Sequence, residues 1–181
     1  VLVQALKSGQ VDMVTSVPNT SVESLKTDAN IKIVAGAPFS PNLTDIIFNV
    51  TEPEDCPIAD GGLCTGHPAL RDKQVRLAMA HATDKQKIID VVLLGLGEPG
   101  IALIPTGLGD WFNSNIRDYE FDVEKANQIL DDAGYLDTNG DGVREMLDGS
   151  RPLTFRLNWP DTESTYPRIA ELLSEMWGEI G

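Results

Sequence analysis

The densest chemistry in the chain lies in residues 137–148, where Asp137, Asn139, Asp141, the carbonyl of Val143, Glu145 and Asp148 occupy positions 1, 3, 5, 7, 9 and 12. Gly142 stands at position 6. A calcium ion takes about six to eight oxygens at roughly 2.3–2.6 Å, and a central glycine allows the sharp turn that lets short acidic side chains converge. The spacing therefore predicts a Ca2+ loop. Position 12 is Asp148, a shorter arm than the Glu that ligates in a bidentate manner, and the following segment alternates like a strand instead of opening a second helix. The competing reading is an Asn-Gly/Asp-Gly turn with solvated carboxylates and no metal. Nothing nearby offers an open coordination position for a substrate. The expected role of an ion is thus structural, pinning the end of a helix to the start of a strand, and an affinity of roughly 10⁻⁴ to 10⁻³ M suffices outside a cell.

Cys56 and Cys64 lie in an acidic stretch whose Pro and Gly density argues against regular structure. An even pair in such a loop points to a disulfide and an oxidising compartment, with two free thiols as the plainer alternative. Neither Cys sits on an apolar periodic face, where a structural free thiol usually hides. Zinc fits poorly, because His67 is the only nearby imidazole and C-x-x-C spacing is absent.

Catalytic signatures are missing. The sequence holds no Gly-x-Ser-x-Gly elbow, no His-Glu-x-x-His helix and no Gly-x-x-x-x-Gly-Lys phosphate loop. Gly95, Gly97 and Gly100 match Gly-x-Gly-x-x-Gly in form only, since they follow a helical pattern, include Pro99 and open no helix. His81 stands among alanines at a helical position and is expected to be a packed or surface residue; His67, before Pro68, is expected to be a turn residue. The triplets at Asn19, Asn42 and Asn49 fit the glycosylation pattern, which short polar triplets meet by chance. No nucleophile and base pair stands out, so the chain is not expected to be an enzyme.

The elements that would position these groups alternate between helical and extended patterns. An opening helix is followed by β-branched runs at 11–17, 31–36 and 44–50, which predict short strands. Asp72 and Asp84 are candidate N-caps for two helices carrying Val75, Ala78, Met79 and Ala82, then Ile88, Ile89, Val92 and Leu93, closed by Gly95. Residues 95–115 hold too much Gly and Pro for an element and form a long loop bearing Trp111 and Phe112. Asp122 caps a helix with an apolar stripe of Val123, Ala126, Ile129, Leu130 and Ala133, ending at Gly134. Leu153, Phe155, Leu157 and Trp159 alternate with polar residues as a half-buried strand, and a final amphipathic helix starts after Pro167.

Across 181 residues, 28 Asp and Glu against 14 Lys and Arg give a net charge of -14, which repels nucleic acid and anionic membrane surfaces over a Debye length of about 8 Å. No apolar stretch approaches the ~20 residues of a membrane span. The chain has 41% apolar residues, enough for a core of one to one and a half domains. It opens in a helical pattern without an initiator Met and closes on a glycine after another, so a piece of a longer polypeptide is expected.

Three stretches together resemble the extracellular solute-binding proteins of the peptide/nickel family that serve ABC importers. One is Gly-His-Pro-Ala-Leu70-Arg-Asp-Lys-Gln-Val-Arg76-Leu-Ala-Met-Ala-His81-Ala-Thr-Asp84, continuing through Ile88 and Ile89 to Gly95. The others are Ala5-Leu-Lys-Ser-Gly9-Gln-Val-Asp12 and Asp122-Val-Glu-Lys-Ala126-Asn-Gln-Ile-Leu130 to Gly134, with the acidic loop after it. The resemblance implies an α/β (mixed α+β) chain, part of a two-lobed periplasmic-binding-protein-like fold. Residues 1–42 would be the end of the first lobe and the crossing to the second, and 43–181 the N-terminal half of the large C-terminal lobe. It also implies capture of a peptide or another small solute between two lobes, delivery to an ABC permease in the membrane, and an extracytoplasmic location with a lipid anchor on the full-length protein. Under that reading Thr106, Trp111 and Phe112 on the Gly/Pro loop and Asn49 at a strand end are candidate solute-wall residues, because loops on rigid scaffolds carry binding and aromatics supply contact area. The alternatives are a calcium-stabilised extracellular structural or adhesion module without a transport role, and an unrecognised hydrolase.

Overall fold

Alanines fill much of the core between two helices. In the computed structural model, which describes residues 2–15, 17–34, 43–56 and 64–181, α3 (Lys73–His81) lies against α5 (Val123–Asp132). Ala78, Ala82 and Ala126 are fully buried in their shared core. Small side chains allow close backbone approach, and Val75, Met79 and Leu130 fill the remaining space. A 3-10 turn at Pro68–Arg71 delivers Ala69 and Leu70 into the same core just before α3 begins.

The expected caps are all in place. Asp72, Asp84 and Asp122 accept the backbone N–H of Gln74 (2.8 Å), Lys87 (2.9 Å) and Lys125 (2.8 Å), starting α3, α4 (Lys85–Val92) and α5. Asp72 also anchors buried Tyr135, whose hydroxyl donates to its other carboxylate oxygen at 3.0 Å. Burial, then this bond, pushes the tyrosine up to about 12. Helix α5 stops at Gly134, whose φ of +87° lets the N–H of Tyr135 turn back to the Leu130 carbonyl (3.0 Å), a conformation costly for other residues.

Helix α6 (Tyr166–Gly178) begins one residue ahead of Pro167 instead of after it. Proline is tolerated in the first turn because its missing N–H has no partner there. The helix buries Ile169, Leu172, Leu173 and Met176, and Trp177 donates to Thr83 Oγ1 (3.1 Å), which itself donates to the Met79 carbonyl (2.7 Å), tying α6 to the end of α3. Two short helices come earlier, α1 (Leu2–Lys7) and α2 (Asn19–Lys26). The second is absent from the sequence expectation; it buries Leu25 and reaches the end of α4 through a 3.3 Å bond from Asn19 to the Leu93 carbonyl.

The expected strands are the main correction. Among the described residues, segments 11–17, 31–36, 44–50 and 153–159 form no ladder, and one antiparallel bridge, Glu145 with Pro152, is the only β pairing. The alternation itself holds as far as Asn158: Leu153 is buried and Phe155 and Leu157 are half-buried, while Thr154, Arg156 and Asn158 are exposed; Trp159, expected to be half-buried with them, is 45% exposed. Extended backbone becomes a ladder strand only when another extended segment runs alongside, and side-chain alternation does not supply one. Parts of the 11–17 and 31–36 expectations, Asn42 with the boundary after it, and 57–63 of the Cys loop lie outside the described residues.

Arg144 closes the unit. Its side chain, 11% exposed, donates from Nε to the Ile180 carbonyl (2.7 Å), from one terminal nitrogen to Asp131 (2.6 Å) and to the Tyr135 carbonyl, and from the other to Asn127 (2.8 Å). Its backbone N–H also donates to the Gly181 carbonyl (3.1 Å). One guanidinium thus satisfies the C-terminal ends of α5 and α6, where a cation is favoured.

Arg144→Ala is expected to lower unfolding free energy in urea by at least about 2 kcal/mol, because it orphans several acceptors at once. Lys26→Ala, which removes an exposed pair with Glu23, should change it by less than about 0.5 kcal/mol. Gly66→Ala is expected to cost about 1–3 kcal/mol, since a Cβ there would stand 2.1 Å from the Asn49 carbonyl oxygen.

Candidate functional site

The acidic loop begins where the Gly134 turn ends α5, and its carboxylates fold inward onto backbone amides. Asp137 accepts N–H groups of Gly140 (2.7 Å) and Gly142 (2.9 Å), Asn139 accepts that of Asp141 (2.8 Å), and Asp141 accepts that of Val143 (2.8 Å). Glycines at 140 and 142, with φ of +81° and +89°, turn the chain between them. Glu145, only 6% exposed, is held on both oxygens: Oε1 accepts the Asn139 side-chain amide (2.7 Å), and Oε2 accepts the N–H (2.8 Å) and hydroxyl (3.0 Å) of Thr138. One oxygen each from Asp137, Asp141 and Glu145 falls within 4.8 Å of the others. The Gly142 and then the Gly140 N–H hold the Asp137 carboxyl below the usual carboxylate range.

Of the six residues expected at this loop, Asp137, Asn139, Asp141 and Glu145 converge, and Val143, expected there through its carbonyl, engages Asp141 through its N–H. Asp148 is not in the carboxylate group. It forms a separate turn in which one oxygen accepts the hydroxyl (2.6 Å) and N–H (3.1 Å) of Ser150, which lower its pKa in that order.

Cys56 and Cys64 form a disulfide with Cα atoms 5.7 Å apart. Asn49 braces this bridge. Its amide donates to the Cys64 carbonyl (2.6 Å) and its carbonyl oxygen accepts the Thr51 N–H (3.1 Å), so both ends of the side chain are engaged. Arg71 pairs with Glu52 just ahead of the bridge.

A half-open, mostly apolar cavity of about 830 Å³ lies between segment 44–49, segment 153–160 and one face of α6, with His67 and Met79 also in its lining. Of the four expected solute-wall residues, only Asn49 lines it. Thr106, Trp111 and Phe112 belong to the Gly/Pro loop, which contains a 3-10 turn at Thr106–Trp111; Trp111 is 78% exposed, and the Thr106 hydroxyl lies 3.5 Å from Glu98. The base of this loop is fastened. Lys85 donates to the Gly100 carbonyl (2.7 Å) and to Asp118 (2.5 Å), and His81 donates from Nδ1 to the Glu120 carbonyl (2.6 Å). His81 is therefore packed, the first of the two places, packed or surface, that its position among alanines allows. Trp159 and Tyr166 also line the cavity; Trp159 stands on the apolar side of the 153–159 alternation, and no feature of the sequence marks Tyr166 for that place.

No described helix is long and apolar enough to cross a membrane.

The chain is 34% identical over 115 residues to the oligopeptide-binding protein AppA of Bacillus subtilis, a match covering 62% of this chain and 20% of AppA. The structure of NikA from Brucella suis in complex with Fe(III)-EDTA superposes with a TM-score of 0.57 at 30% identity, over 64% of this chain and 22% of NikA. Lactococcal OppA in its closed conformation with an endogenous peptide matches 99% of this chain and 32% of its own at a TM-score of 0.67 and 21% identity, a likeness of fold. These neighbours place the chain in the mixed α/β, two-lobed periplasmic-binding class. It spans about a fifth of the length of AppA. The pattern of the bacterial extracellular solute-binding proteins, family 5 Middle, matches residues 1–181 throughout, and the chain belongs to that family.

Proposed function

We propose that these residues serve in the solute-binding component of an ABC-type importer, which captures a peptide or another small solute between two lobes and presents it to a membrane permease. The family match along the whole chain carries this reading. A relative is named as oligopeptide-binding, which favours a peptide solute. The work of such a receptor is differential binding: solute bridges the lobes, shifts an open and closed equilibrium, and leaves with its bonds intact. Residues 1–42 then belong to the end of the first lobe and the crossing, and 43–181 to the leading half of the second. An extracytoplasmic setting accords with the family description and with the Cys56–Cys64 bridge, and a lipid anchor on the full-length protein is part of the same proposal. Thr106, Trp111 and Phe112 on the fastened loop are the proposed solute contacts, with Trp111 offering the largest free apolar face.

We also propose that Ca2+ occupies the acidic loop as a structural ion. The convergence of Asp137, Asp141 and Glu145 oxygens within 4.8 Å supports this reading. The ion would take the remaining lone pairs of Asp137 and Asp141 together with the Val143 carbonyl, and would tighten the junction between α5 and the segment carrying Arg144.

Native mass spectrometry of the protein incubated with a mixed peptide library should show retained, uncleaved peptides, and Trp111→Ala should weaken that retention by about tenfold, the value of ~1.4 kcal/mol of contact. Recovery of shortened peptides would sink the transport reading. For the metal, the unfolding midpoint should rise when Ca2+ replaces chelator, by the equivalent of ~2.7 kcal/mol at a hundred times the dissociation constant. Asp141→Asn should remove most of that rise; identical melting curves in calcium and chelator would leave a plain turn.

A further inference from the structure

His67 occupies a position that only a neutral imidazole can fill. It caps the 3-10 turn Pro68–Arg71 and is 5% exposed. Its Nδ1 accepts the N–H of Ala69 at 3.2 Å, so that nitrogen carries no proton. The proton therefore sits on Nε2, which donates to the Pro152 carbonyl at 3.0 Å. The ring also meets Phe155 edge-on, with centroids 5.1 Å apart. This side chain joins two segments 85 residues apart in sequence, beside the bond from Arg156 to the Thr65 carbonyl. On the far side, Pro152 pairs with Glu145 and Leu153 donates to the Arg144 carbonyl (2.7 Å), so the joint lies beside the residue that ties α5 to α6.

From the 150–156 segment come Arg151, which acts on the imidazole, and Arg156, whose guanidinium donates to the Thr65 carbonyl at 3.3 Å. From its own side come Arg71, paired with Glu52, and Asp72, engaged by Gln74 and Tyr135. Asp45 lines the same cavity and is exposed. Glu145, across the bridge from Pro152, is occupied by Thr138 and Asn139.

We propose that His67 is a proton-operated latch: a proton on Nδ1 releases the Ala69 cap and loosens the junction between the 64–72 and 150–156 segments while α3 and α5 stay packed. The added proton takes the lone pair that the Ala69 N–H uses. Two N–H groups then face each other, and Ala69, 1% exposed, has no water to turn to. Burial, then Arg151, hold the imidazole below its ordinary value, opposed by the bond to Pro152. The latched form therefore binds fewer protons than the released form below pH about 6.5. Latching is complete above that pH and is lost as the pH falls through the lower, latched value. Between the two, the opening constant rises by up to about tenfold per pH unit.

The test is an NMR titration of the protein from pH 8 to 4, with hydrogen exchange at the Ala69 amide corrected for its intrinsic pH dependence. Expected are an Nε2–H tautomer at neutral pH, a His67 midpoint below about 6.5, an Ala69 amide shift with that same midpoint, and loss of Ala69 protection in step with it. His67→Asn keeps an acceptor for the cap but cannot titrate, so its Ala69 protection should be flat over the range. A His67 midpoint at or above 6.5, an Ala69 amide indifferent to the titration, or wild-type pH dependence in the Asn variant would each overturn the latch. The first two readouts need no variant, so the outcome does not depend on His67→Asn folding.

Discussion

Helix ends are where this structure is held together, and the Arg144 guanidinium is the interaction on which the arrangement depends. Two helices running to the same place leave several carbonyls without intrahelical partners, and their dipoles concentrate negative potential there. A planar cation with five donors answers both problems in one side chain. Because Arg144 bonds the Tyr135 and Ile180 carbonyls and the side chains of Asn127 and Asp131, the positions of α5 and α6 are set relative to one another by geometry as well as by apolar contact. The alanine-rich packing of α3 on α5 supplies the burial, and Arg144 supplies the register.

The acidic loop acquires its meaning from that neighbour. Its carboxylates bind the loop's own amides and leave a compact cluster of negative charge beside the segment that delivers Arg144. Turn and ion site are compatible, since each Asp oxygen has two lone pairs and the turn uses one of them. The loop therefore folds by local hydrogen bonding, and an ion would add to an arrangement that already exists.

Much of the helical framework is legible in the sequence because its signals are short-range. Asp72, Asp84 and Asp122 each cap within three residues, and Gly134 ends α5 through its own φ. Helix α2 is hard to read because Asn19, Thr20, Ser21 and Ser24 are weak helix formers, and only Val22 and Leu25 mark an apolar face. The strand expectation at 153–159 captures the inward turn of Leu153, Phe155 and Leu157 but not the exposure of Trp159 or the absence of a partner among the described residues, which is a matter of tertiary placement. Arg144 and His67 are illegible for a related reason: one looks like a solvated residue in an acidic loop and the other like a turn residue, and their partners lie up to 85 residues away. Within the candidate site, convergence of Asp137, Asn139, Asp141 and Glu145 follows from spacing, whereas the separate turn at Asp148 depends on Ser150, which lies beyond the twelve-residue pattern.

The Gly/Pro loop is clamped at its base by Lys85 and His81 and leaves Leu103 and Trp111 bare at its far end. Such an arrangement separates two evolutionary demands. Substitutions beyond the clamp touch few buried groups and so drift at little cost to folding, while the clamp preserves the direction in which the loop departs from the scaffold. Descendants of this chain could acquire new tips by insertion or replacement and inherit the same mounting.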